Sequence, residues 1–326
     1  MKILAIIAVI LVCAAIVAVG ATYPRYSREM EAARDRLVTG SSILKTDHGD
    51  IEYSVRGEGA PVLLLHGAGG GYDQGFWGGK VFFDQDGYKL ISVSRFGYLR
   101  SPIPSQASIR TQASLYKALL DHLRVGHVIV VGISAGGPSA TQFANDYPDR
   151  CRALVLLSAV SMARSPDDKD PFFIGLLHLI QQSDYAYWVF TKFMQPVILD
   201  LMGIPTKVYR HFTPEQKGLA QEMLDIMHPM SPRYKGTIND GNMIQTEGVS
   251  TDRVSAPALI IHAKDDALVS FSHAENAHAR IKTSILLSFD SGGHAILSQR
   301  DNIRDHLRDF LKNRPDERPA EGHSPY

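Results

Sequence analysis

Ser134 stands in Gly132-Ile133-Ser134-Ala135-Gly136, directly after the apolar run HVIVV and directly before a stretch with helical spacing. A serine between two glycines at a tight strand-to-helix turn is a nucleophile elbow, in which small neighbours permit a strained backbone and the hydroxyl projects above a sheet. A glycine-rich phosphate loop has a similar composition; the flanking buried strand and helix favour the elbow. The helix N-terminus behind Ser134 directs backbone N–H groups at a developing oxyanion. A second glycine loop, His66-Gly67-Ala68-Gly69-Gly70-Gly71, follows the apolar run PVLLL and can bring another N–H to the same place. Ala68 and Ala135 are therefore the expected oxyanion-hole pair, with Gly69 as the alternative to Ala68.

Positioning these groups requires a sheet. Eight β-rich runs punctuate the chain: SILKT, DIEYSV, PVLLLHG, YKLISVS, HVIVVG, RALVLLS, PALIIHA and SILLSFD. The last six are short and largely apolar, as in parallel strands covered on both faces, and the first two suit an antiparallel hairpin at an edge. Helical spacing falls between them at 108–125, 135–147 and 303–311. The expected fold class is α/β, a mostly parallel sheet of about eight strands with helices on both faces. Residues 160–250 interrupt the alternation with helical segments and read as an inserted cap. Ten aromatic residues and seven of the nine methionines lie there. They suit both an ordinary helical core and a lid with an apolar inner pocket, for which Trp188 and Phe193 are the candidate substrate contacts.

With the elbow, the HG loop and this alternation, the chain resembles the α/β-hydrolase superfamily from about residue 42 to residue 312. The resemblance implies an acid and then a histidine after the serine. Lys264-Asp265-Asp266-Ala267-Leu268-Val269 is similar to the family's acid loop, which assigns the acid to Asp266, with the neighbouring carboxylate Asp265 as the alternative. Ser291-Gly292-Gly293-His294 follows the next strand and supplies the base, His294. His262 falls at a strand position, and His273 and His278 at helix positions. Arg95-Phe96-Gly97-Tyr98-Leu99-Arg100-Ser101 departs from the family's D-x-x-G-x-G-x-S loop and says nothing of substrate. Serine at position 134 argues against the aspartate-nucleophile branches.

On this reading His294 accepts the Ser134 proton and Asp266 fixes the imidazole. The expected activity is hydrolysis of a carboxylic ester with an apolar acyl group. The alternatives are carbon–carbon bond hydrolysis or cofactor-free perhydrolysis on the same residues, or a non-catalytic binding role. No cofactor is expected, and no metal, since no Cys or His cluster has ligand spacing. Thirty-four basic residues cancel thirty-four acidic ones, so no summed field attracts nucleic acid. With 44% apolar residues, disorder is excluded for the chain as a whole. Cys13 and Cys151 leave one thiol in the globular part, so an intramolecular disulfide is not expected.

Residues 3–22 carry no charge. As a helix they would be about 30 Å long, the thickness of a bilayer core. Residues 1–23 are thus expected to form a transmembrane-type helix that anchors the protein to a membrane. The alternative is a signal segment removed on export, and the side of the membrane is left open by opposing charge and export signals. Residues 24–40 read as a charged linker with at most a short helix, 41–313 as the catalytic domain with its cap, and 314–326 as a disordered tail.

Overall fold

The computed structural model describes residues 2–83, 87–163, 165, 167, 168 and 170–312, without the side chains of 2–12 and 14–16. All eight β-rich runs are strands of one sheet: β1 (Ser42–Thr46), β2 (Gly49–Arg56), β3 (Ala60–Leu65), β4 (Tyr88–Ser94), β5 (Val128–Ile133), β6 (Cys151–Leu157), β7 (Ala258–Ala263) and β8 (Ser284–Phe289). Their spatial order is β1-β2-β4-β3-β5-β6-β7-β8. β1 and β2 form the antiparallel edge hairpin, β2 runs antiparallel to β4, and all other pairs are parallel. Alternate residues feed two cores, as the two-residue period of a strand requires. Val62, Leu64, Ile129, Val131, Val155 and Ile261 enter one, and Leu63, Leu65, Val128, Val130, Leu156 and Ile260 the other. β8 departs from the fully buried pattern because it is the other edge strand, and Ile285 is exposed.

The described helices are α1 (Lys2–Thr39), α2 (Tyr72–Phe82), α3 (Ile109–His122), α4 (Gly137–Asp146), α5 (Pro171–Gln181), α6 (Asp184–Phe193), α7 (Gln195–Leu201), α8 (Thr206–Tyr209), α9 (Pro214–Ile226), α10 (Ser231–Glu247), α11 (Ser272–Arg280) and α12 (Arg300–Lys312). α2 and α12 contribute to the first core with most of the cap, and α3, α4 and α11 to the second. Helices α5 to α10 all lie between β6 and β7, within the inserted region. α2 has no sequence-level helix signal because glycines 75, 78 and 79 interrupt it. Its Gly75 has a physical reason: a Cβ there would collide with the Ser92 hydroxyl on β4, so the glycine lets the helix lie close to the sheet.

The N-terminus differs from expectation. Residues 24–40 are not a linker, because α1 continues through Pro24 to Thr39. Met30, Ala33 and Leu37, spaced along one face of α1, are buried. Polar contacts hold the helix to the cap. Thr22 Oγ1 and Tyr185 Oη are 2.6 Å apart, Trp188 Nε1 donates to Glu29 Oε2 at 2.8 Å, and Arg36 donates to the carbonyls of Ile226 and His228 at 2.9 Å each. Among the described residues no helix is long and apolar enough to cross a membrane. The expected spanning helix at 1–23 therefore finds no support there, and most side chains of that run lie outside the described residues, as does the tail at 314–326.

Candidate active site

Ser134 sits at the C-terminal end of β5 with φ +51°, a left-handed conformation that a non-glycine residue adopts at a cost. The chain must turn there from strand to helix within one residue. Gly136 allows it, because a Cβ at that position would strike the carbonyl oxygens of Leu65 and His66 at the end of β3. The Ser134 hydroxyl is thus held against the His66–Gly71 loop and is largely buried.

Two further loops converge on it. His294 Nε2 lies 2.9 Å from Ser134 Oγ, and His294 Nδ1 lies 2.8 Å from Asp266 Oδ2. Asp266 Oδ1 accepts the N–H groups of Leu268 and Val269 at 2.9 and 3.0 Å, so the loop after β7 grips one oxygen and leaves the other for imidazole. Burial works to raise the Asp266 pKa. The adjacent His294 ring and the donors from His262 and His294 outweigh it and hold the carboxyl well below its usual range. Gly203, just beyond α7, ties the cap to both loops, its carbonyl accepting from His294 N at 2.9 Å and Ala267 N at 3.4 Å.

Asp265, adjacent in sequence, has a different place. It accepts from Ser291 Oγ and from the N–H groups of Gly292 and Gly293 at 2.7 to 2.9 Å, so it shapes the loop that carries His294 and does not meet the imidazole. In the His66–Gly71 loop, Gly67 N donates to Gln74 Oε1, Gly69 N to Thr237 Oγ1 and Gly70 N to the Gly67 carbonyl. Gly69 is therefore engaged, and the Ala68 N–H carries no such bond among the described residues. Ala135, in the first turn after the elbow, has no intrahelical acceptor for its N–H. His66 is structural: its Nε2 accepts from Arg95 N at 3.1 Å, so Nδ1 carries the proton and donates to the Gly67 carbonyl. Burial, with the nearby Arg95, pushes its pKa well down.

Arg95 is buried in a bidentate pair with Asp240 of α10, both contacts 2.6 Å, and its Nε donates to the His66 carbonyl. The cap is thereby bonded to the base of the His66–Gly71 loop. Ser134, His294, Ala68 and Ala135 open into a cavity of about 570 Å³ whose apolar walls include Trp77, Phe82, Leu177, Met202, Ile204 and Met223. Trp188 and Phe193, expected in that wall, do not border it. Trp188 is fully buried between the cap and α1, and Phe193 is exposed on the outer surface, edge-on to Trp188. The aromatic side of α6 is covered by α1, whose docking the linker expectation missed.

Two histidines set aside from sequence also come near. His273 borders the cavity and accepts from Ser161 N at 3.1 Å through Nδ1, so its Nε2–H faces Asp168 at 3.1 Å. His262 Nε2 lies 3.1 Å from Asp266 Oδ2 and 2.9 Å from the Val269 carbonyl. Its position four residues before Asp266 in a strand gave no sign of this, because the acid loop doubles back over the strand end.

A hydroxyl, an imidazole and a carboxylate bonded in series, beside two N–H groups without an acceptor among the described residues, can transfer a proton and hold a developing negative oxygen. The family model described as alpha/beta hydrolase fold matches residues 60–301. An uncharacterized hydrolase of Bacillus subtilis (strain 168), YcgS, is 32% identical over 259 residues, covering 77% of this chain and 90% of that protein. An alpha/beta hydrolase fold protein from Nakamurella multipartita superposes with a TM-score of 0.73 at 25% identity, over 84% of this chain and 99% of that one. The esterase EaEST from Exiguobacterium antarcticum shares the fold with a TM-score of 0.62 at 23% identity, over 84% and 100% of the two chains. By sequence match and by architecture alike, the chain belongs to the alpha/beta hydrolase fold family.

Proposed function

We propose that the protein is a serine hydrolase that cleaves a carboxylic ester with an apolar acyl group. The observation that carries this reading is the unbroken series Ser134 Oγ, His294 and Asp266 at the floor of an apolar cavity. Ser134 Oγ attacks the ester carbonyl while His294 Nε2 takes its proton. The N–H groups of Ala68 and Ala135 bind the oxyanion, and Asp266 stabilises the imidazolium. Collapse expels the alcohol, which receives the proton from His294, and leaves an acyl-serine. Water activated by the same imidazole then releases the acid and restores Ser134.

The cavity argues for apolar acyl chains. Each buried methylene is worth roughly 0.8 kcal/mol, so kcat/KM should rise about three- to fourfold per methylene until the cavity is full. A series of p-nitrophenyl esters of increasing length tests this, and an efficiency independent of length, or highest for charged acids, would overturn it. The same residues serve carbon–carbon hydrolysis and perhydrolysis, and fold alone does not choose among them. As to location, residues 3–22 are proposed to attach the protein to a membrane, on the strength of twenty uncharged residues in succession.

A further inference from the structure

α5 contains no charged residue, and its sequence PFFIGLLHLIQ is apolar on all sides. Its inner face, including Ile174, Leu177 and Gln181, lines the cavity above Ser134. Its outer face carries Phe172, Leu176 and Leu179, spaced four and three residues apart and therefore on one side of the helix. Phe172 is 71% and Leu179 64% exposed, and Phe193 at the end of α6 is 57% exposed, with Met194 and Val197 exposed beyond it. A helix that is hydrophobic all round is ordinarily covered on all sides, and an exposed patch of this kind marks a surface with a partner.

The neighbourhood identifies the partner. Four residues after α5 ends, Tyr185 meets Thr22 of α1, at the point where the uncharged stretch gives way to charged helix. Around that point Tyr23 is exposed and Tyr26 and Tyr185 are half-buried beside it, over the buried Trp188, with ring centroids 5.1 to 6.3 Å apart. Val17 and Val19 of α1 are exposed next to these rings. Tyr and Trp gather where apolar and aqueous phases meet, and below them an apolar face lies in the lipid.

We propose that the outer face of α5, with Phe193, Met194 and Val197, rests in the interfacial layer of a lipid bilayer, so that an apolar substrate reaches Ser134 from the membrane past α5. This rests on the membrane attachment and the ester reading proposed above. One helix then has two tasks, its outer side seated in lipid and its inner side forming the cavity wall.

The test uses the full chain reconstituted in phosphatidylcholine vesicles. Phe172→Asp combined with Leu179→Asp alters outward side chains only. Hydrolysis of a long-chain ester dispersed in the bilayer should fall about tenfold or more, and that of a water-soluble short-chain ester should stay within about twofold of the unsubstituted protein. In parallel, Phe172→Trp should add fluorescence that brominated lipid quenches. Equal effects on the two esters, absence of quenching, or a dimer that buries Phe172 in solution would each overturn the proposal. If neither ester is hydrolysed, the ester reading fails and quenching alone decides the α5 contact. Retention in the membrane without quenching would overturn the α5 contact and leave the attachment standing.

Discussion

His262 Nε2 and His294 Nδ1 converge on the same oxygen of Asp266, at 3.1 and 2.8 Å. His262 Nε2 also faces the Val269 carbonyl, so the single N–H is shared between two acceptors and Nε2 must hold the proton. Its other ring nitrogen is buried without a partner among the described residues. Through the Nε2 N–H the ring donates to Asp266 and takes part of its charge away from His294.

Replacing His262 by leucine should therefore leave Asp266 Oδ2 one donor short and lower kcat/KM by about threefold to tenfold. His262→Gln, which keeps an N–H donor, should recover most of that loss. Equal kcat/KM in all three proteins would reduce His262 to a packing role.

Ser134→Ala and His294→Ala should each lower ester turnover by about 10⁴ or more, because nucleophile and base act as one unit. Ser134→Ala should also abolish covalent labelling by a fluorophosphonate while leaving the melting temperature near that of the unsubstituted protein. Persistent labelling would remove Ser134 from the proposed mechanism.

Asp240→Ala leaves the Arg95 guanidinium buried and unpaired, which should cost about 3–5 kcal/mol in denaturant unfolding. Arg95 also holds the His66 carbonyl, so the His66–Gly71 loop should loosen. A stability loss under about 1 kcal/mol would mean that water reaches Arg95 and replaces the carboxylate.

Partial burial works to raise the Glu29 pKa, but the Trp188 N–H, Arg25 and Lys192 outweigh it and lower it to about 2. A depressed carboxylate stabilises docking fully above its unfolded value near 4.5 and loses that contribution as pH falls towards 2. The melting-temperature difference between the unsubstituted protein and Glu29→Gln should thus be constant from pH 7 to about 5 and shrink below it. A difference that grows on acidification would contradict the assignment.

A chain beginning at Tyr26 keeps Met30, Ala33, Leu37 and both Arg36 contacts, and should fold and leave the membrane fraction. The full chain should remain there after carbonate washing. Removal through Leu37 should uncover part of the first core and lower the melting temperature. A mature N-terminus near Ala21 in the native protein would instead establish signal cleavage.

The sequence by itself determined the strands and the turns that present the chemistry. Each of the eight β-rich runs is a strand, and Ser134 and His294 stand at strand ends marked by adjacent glycines. Such signals are local, encoded in side-chain period and turn chemistry over about ten residues. Tertiary structure decided which faces meet. Trp188 reads from sequence as a buried aromatic on a cap helix whether a substrate or another helix covers it; the docking of α1, some 160 residues earlier in the chain, settles that it packs against Tyr26 and bonds Glu29. α2 is hidden because close packing on the sheet demanded glycines that erase helix propensity. His262 is hidden because its relation to Asp266 depends on the path of the loop after β7, which hydrogen bonds to the Asp266 carboxylate fix in space and no residue spacing records.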